Sequence, residues 1–294
     1  MRWDESHESE DIIDRRGEGP ARSDGGLGML FYLLPWLLQS RIGRVILLLG
    51  GLFFVGRTAL SALRGPLGQG LHAGNVPGGA VAETPEVHFV AYILDDVQDT
   101  WQKRFAQAGQ SEAYRHAKLV LYTDSTDTGC GYGSAATGPF YCPADERVYL
   151  DLGFFHDLSG RLGARGQFAQ AYVIAHEMGH HVQKLLGISE KVEKLRHTAG
   201  ATGASVRLEL QADCFAGIWA RSTEQRDLSE EADIQSAISA AAAVGDDRLQ
   251  RAATGTVSPE SWTHGSSEER VRWFQRGITA TGVSSCDTFA AHSL

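Results

Sequence analysis

The sequence predicts an α+β domain over residues 85–294, strand-rich early and helical late. Three observations carry that expectation. Short runs rich in β-branched and aromatic residues, at 118–123, 138–142 and 147–152, are parted by brief turns and read as strands. Phe89, Ile93, Val97, Trp101 and Phe105 recur every four residues, as on an amphipathic helix. Beyond Phe154 the pattern is almost wholly helical, so strands and helices segregate instead of alternating.

Ahead of that domain, residues 1–26 are polar, charged and rich in Gly and Ser, and are expected to form a disordered tail. They are no cleavable signal peptide, because acidic residues stand where a short basic start is needed. Two apolar runs follow, 27–38 and 45–56, parted by a polar break at Gln39–Arg44. Each run falls short of the ~20 residues that a spanning helix needs. Extending the second to 42–60, with Arg44 and Arg57 snorkelling, yields a single transmembrane helix within a membrane segment 27–60. Arg15, Arg16, Arg22, Arg41 and Arg44 precede it, and only Arg57 and Arg64 follow closely. This bias predicts a single pass, a cytoplasmic N-terminus and a domain outside the cytoplasm. In the alternative, where both runs span, the domain faces the cytoplasm. Residues 61–84 are rich in Gly and Pro and read as a linker.

The formal net charge of -9 argues against a nucleic-acid partner, since phosphate binding needs an excess of Lys and Arg. Of the four cysteines no two form a CxxC pair. Cys130 and Cys142 bracket a Gly-rich aromatic stretch that reads as a hairpin, where a short-loop disulfide fits. Cys214 with Cys286 is then the second pair by elimination. The alternative is free thiols in a reducing compartment.

The chemistry concentrates in His176-Glu177-Met178-Gly179-His180, inside a stretch of helical character. Positions i and i+4 lie one above the other on a helix, so His176 and His180 present both imidazoles to one point, as zinc requires. Glu177 is turned by roughly 100° from His176 and is placed to take a proton from water rather than to bind the metal. A third ligand must come from elsewhere, because Gln183 and Leu186 stand where the extended motif HExxHxxGxxH has Gly and His. The best source is 206–220, where Glu209 and Asp213 are again i and i+4 among apolar neighbours. One of these carboxylates can bind the metal while the other accepts a hydrogen bond from a ligand histidine.

AYVIAHEMGHHVQ followed by ELQADCFAGIWA resembles the family of putative neutral zinc metallopeptidases, membrane-anchored proteins of bacteria. The opening MRW, GPFYCPADERVYLDL, GDDRLQ, THGSSEERVRWF and the terminal CDTF resemble it too. The resemblance implies a zincin-like fold, peptide or protein substrates, one zinc per chain and an inner-membrane location. Carried onto this chain, it makes Glu209 the third ligand and Asp213 the residue behind a ligand histidine. His264, ahead of a capping-box helix start at Ser266 and Glu269, is the candidate donor to an oxyanion. Its alternative is a loop histidine bonded to backbone, and Tyr141 and Tyr149 are weaker candidates for the same role. His181 is expected to pack or to face solvent, and the strand at 148–152 to offer an edge to a substrate. A tethered zinc-containing scaffold without activity is the competing class, against which the retained Glu177 argues.

Overall fold

The computed structural model describes residues 1–18, 83–193 and 200–294. Alternation along β2 (Lys118–Tyr122) decides how its sheet is covered. Leu119 and Leu121 enter the main core with Val148 and Leu150 of β6 (Arg147–Asp151), against the helices. Val120 and Tyr122 point the other way and join Tyr149 and Cys142 in a second, smaller cluster. The four-stranded sheet runs in the order β1-β2-β6-β5, where β1 is Ile12–Asp14 and β5 is Phe140–Cys142. β1, β2 and β6 are parallel, and β5 lies antiparallel on β6. A separate hairpin pairs β3 (Ser125–Thr128) with β4 (Gly131–Ser134). The hairpin expected between Cys130 and Cys142 is thus displaced: β4 pairs back with β3, whose Ser and Thr lack the apolar alternation by which strands are read, and β5 pairs with β6 instead.

Eight helices are present among the described residues. The period-four stripe forms α1 (Pro85–Gln107), which Pro85 starts at the position where a missing N–H costs nothing. Its Trp101 meets Phe215 edge-on. A short α2 (Gly153–Gly160) leads from β6 to α3 (Gln167–Leu185), which carries the histidine motif. After α4 (Ile188–Glu193) comes α5 (Ala204–Gln225), which packs on α3. α6 (Glu231–Ala243) and α7 (Asp246–Thr254) lead to α8 (Ser267–Ile278). α8 starts with the expected capping box between Ser266 and Glu269 and lies closely along α5. Gly217 and Gly277 face each other there, so that a Cβ on either would strike the backbone of the other helix. Trp273 and Phe274 are buried, as core residues. Cys130 is bonded to Cys142, tying the β3–β4 hairpin to β5, and Cys214 to Cys286, tying α5 to the C-terminal segment.

Two further expectations are corrected. Residues 1–18 are not a disordered tail: they belong to the same compact unit as residues 83–294, with β1 in the sheet. Composition misleads here because the charged residues of this stretch find partners on the domain. Asp11 meets Gln98, His116 and Lys118, Asp95 accepts from Ser9 and contacts His7, and Trp3 packs on Phe89. The strand at 148–152 is likewise no edge. β6 is bonded on both sides, and the edge on that flank of the sheet is β5. Among the described residues no helix is long and apolar enough to cross a membrane. The expected membrane segment 27–60, its helix at 42–60, and residues 19–26 and 61–82 of the tail and linker lie outside the described residues.

Candidate metal centre

Gly179 sets how near α5 comes to α3: a Cβ at this position would lie 3.0 Å from the Cα and the carbonyl oxygen of Ala212. With the helices that close, Glu209 reaches the two histidines one turn apart on α3. Glu209 Oε2 lies 3.1 Å from His176 Nε2, and Oε1 lies 3.4 Å from His180 Nε2. One donor atom from each of His176, His180 and Glu209 falls within 4.8 Å of the others. Tetrahedral zinc with bonds of about 2.0–2.1 Å holds its ligand atoms about 3.3 Å apart. The two imidazoles and the carboxylate therefore suit zinc in kind and in spacing.

The neighbours of each ligand fix its tautomer. Asp213, fully buried one turn beyond Glu209, accepts from His176 Nδ1–H at 2.9 Å, so that Nε2, which faces Glu209, is the nitrogen left for a metal. The same carboxylate accepts from Tyr172 Oη at 2.5 Å and from Arg270 Nε and Nη2 at 2.9 and 3.0 Å. Burial opposes ionisation of Asp213, but Arg270 and His176 outweigh it and hold its carboxyl below the usual range. His180 Nδ1–H donates to Gln183 Oε1 at 2.9 Å, so that its Nε2 also faces Glu209. Gln183 is itself anchored, its amide nitrogen donating to Leu208 O and Gln211 Oε1.

Burial alone would depress both ligand histidines. The carboxylates prevail over burial: His176 is pushed up to about 10, chiefly by Asp213, and His180 is raised by Glu209. Burial works against the Glu209 carboxylate as well, yet His180 and His176 hold it well below the ordinary value. Glu177 has no such dominance of cations. Burial raises its carboxyl above the usual range.

Glu177, His176, His180 and Glu209 line a cleft of about 1070 Å³, whose walls include β5, Val173 and Leu208. His264 lines it too. Asp246, at the first turn of α7, accepts from the backbone N–H groups of Thr263, His264 and Gly265 through one oxygen. Its other oxygen lies 3.1 Å from His264 Nδ1. That hydrogen bond, ahead of the burial that opposes it, raises the His264 pKa. Tyr141 and Tyr149 commit their hydroxyls elsewhere, to His181 Nδ1 at 3.0 Å and to Asp145 at 2.6 Å. His181 is fully buried and donates from Nε2 to Arg115 O, which leaves Nδ1 to accept from Tyr141.

Sequence reasoning missed Gln183, Asp246, Arg270 and Tyr172. Only Gln183 carried a usable signal, three residues past His180 on one helix face.

A family model described as "Putative neutral zinc metallopeptidase" matches residues 1–289. "Uncharacterized protein YpfJ" of Escherichia coli (strain K12) is 43% identical over 292 residues, 98% of this chain and 99% of its own length. "Uncharacterized protein Mb2605" of Mycobacterium bovis and "Uncharacterized protein Rv2575" of Mycobacterium tuberculosis are each 45% identical over 192 residues, 62% of this chain and 65% of theirs. No solved structure matches the chain.

Proposed function

The chain belongs to the family of putative neutral zinc metallopeptidases, and from that premise we propose that it hydrolyses peptide bonds, with zinc held by His176, His180 and Glu209. The observation that carries the reading is the convergence of two imidazole nitrogens and one carboxylate beside a buried fourth group, Glu177, in an open cleft. A site meant only to hold structure is more often closed by four protein ligands and has no use for a base beside it.

Zinc bound there supplies Lewis acidity toward a peptide carbonyl and lowers the pKa of water to about 7. Glu177 takes the proton of the attacking water and later delivers it to the leaving amine, a task for which its raised pKa suits it. His264, whose pKa Asp246 raises and so favours as the cation, is placed to present Nε2–H as a donor to the developing oxyanion. The outer edge of β5 offers backbone groups with which an extended substrate can pair, beside the base. Both disulfides favour an oxidising compartment for the domain.

The test is hydrolysis of a mixed peptide pool by the full chain, wild type beside Glu177→Gln, with and without chelator. Cleavage that a chelator abolishes, that zinc restores and that the variant loses by about 10²–10⁴-fold supports the proposal. Equal cleavage by the variant, or cleavage indifferent to chelator, would sink it; zinc without any cleavage would favour the scaffold.

A further inference from the structure

Residues 1–18 stand on one side of the apolar stretch 27–56 in sequence and the domain on the other, yet they share one sheet. The pairing runs Ile12 with Leu119, Ile13 with Val120 and Asp14 with Leu121. Leu119 N–H donates to Asp11 O at 2.8 Å, and Arg15 N–H donates to Leu121 O at 2.7 Å. Leu119, Val120 and Leu121 are all fully buried in the sheet that includes β1, so losing β1 would leave the edge of β2 open with these backbone groups unpaired. Gln98 is fully buried too, and its amide nitrogen donates to Asp11 Oδ2 at 2.8 Å. Trp3 packs on Phe89, and His88 Nδ1 lies 2.9 Å from His7 O. The attachment therefore reaches from His88 to Gln98 of α1 and from Lys118 to Leu121 of β2, through apolar, backbone and ionic contacts at once.

We infer that residues 1–18 and the domain 83–294 lie on the same side of the lipid bilayer that the apolar stretch enters, which replaces the single crossing expected from the sequence. A lone span at 42–60 would set β1 and β2 on opposite faces and leave the pairing unmade. In sequence, residues 19–82 carry two apolar runs, 27–38 and 45–56, parted by the polar break Gln39–Arg44. Two runs each short of the ~20 residues of a full span are a weak basis for one crossing and a natural one for a chain that comes back. Nothing in this argument depends on the peptidase reading.

The experiment uses the full chain in cells, with a small epitope tag at each end and a second version carrying Ser9→Cys and Asp95→Cys. Ser9 Oγ and Asp95 Oδ1 are 2.7 Å apart, on the surface between the N-terminal segment and α1. Protease access to the two tags is compared in intact and opened cells, and the cysteine pair is treated with a short bifunctional thiol reagent in isolated membranes. The inference expects both tags to be accessible, or both protected, together with an intramolecular cross-link. One tag accessible and the other protected, with no cross-link, overturns it. Recovery of the chain wholly outside the membrane fraction overturns it as well, since the stretch then enters no bilayer. Activity is measured in neither arm, so failure here leaves the metal-centre proposal untouched.

Discussion

Asp246 holds His264 and the loop around it in one carboxylate's reach, far from the motif in sequence. Its own pKa is lowered, burial being outweighed by the bonds from His264, while that of His264 is raised. The two shifts bound a pH window. The lowered carboxylate adds stability above its ordinary 3.8 that is lost as pH falls through the folded value. The raised imidazole adds stability below its ordinary 6.5 that is lost as pH rises through its folded value. In the proposed mechanism the His264 cation is the useful form, so Asp246→Asn should move the alkaline limb of the kcat/KM profile to lower pH. An unchanged limb would remove His264 from the mechanism. At this scale the sequence was legible where the helix period places both partners on one element, as for His176 with His180 and Glu209 with Asp213. Arg270 was not. In SEERVRWF it looks like one charge among several on a solvated face, and only the packing of α8 on α5 turns it, 4% exposed, onto Asp213.

Between elements, the crossing of α3 and α5 is what makes a ligand set from two separate segments. Gly179→Ala tests that crossing. Helix propensity alone favours alanine by about 0.8–1.0 kcal/mol, whereas overpacking against a backbone that cannot swing aside costs about 1–3 kcal/mol. The second effect should win, with a net loss of stability in chemical denaturation and weaker zinc binding as Glu209 is pushed back. A variant more stable than wild type, with zinc affinity intact, would show that the helices are not held at that distance by Gly179. The strands at 118–123, 138–142 and 147–152 and the helix stripe from Phe89 to Phe105 were readable because each carries its own apolar period. β1 has only Ile12 and Ile13 to offer inside a charged stretch, and its evidence lies in Asp11 and Trp3 meeting residues more than 80 positions away.

Across the molecule, the two disulfides pin the segments that build the cleft: Cys130–Cys142 steadies the edge strand β5, and Cys214–Cys286 holds α5 just past Asp213. The order of elements also explains why the site was easier to foresee than the architecture around it. Metal ligation demands particular residues at particular spacings, which a sequence displays, whereas the return of residues 1–18 to the sheet is written only in the partners they meet. Zinc content per full-length chain, in wild type, Glu177→Gln and Glu209→Gln, tests the ligand assignment most directly. The account predicts one zinc in wild type and in Glu177→Gln, and its loss from Glu209→Gln. Full zinc in Glu209→Gln, or none in wild type, would contradict it.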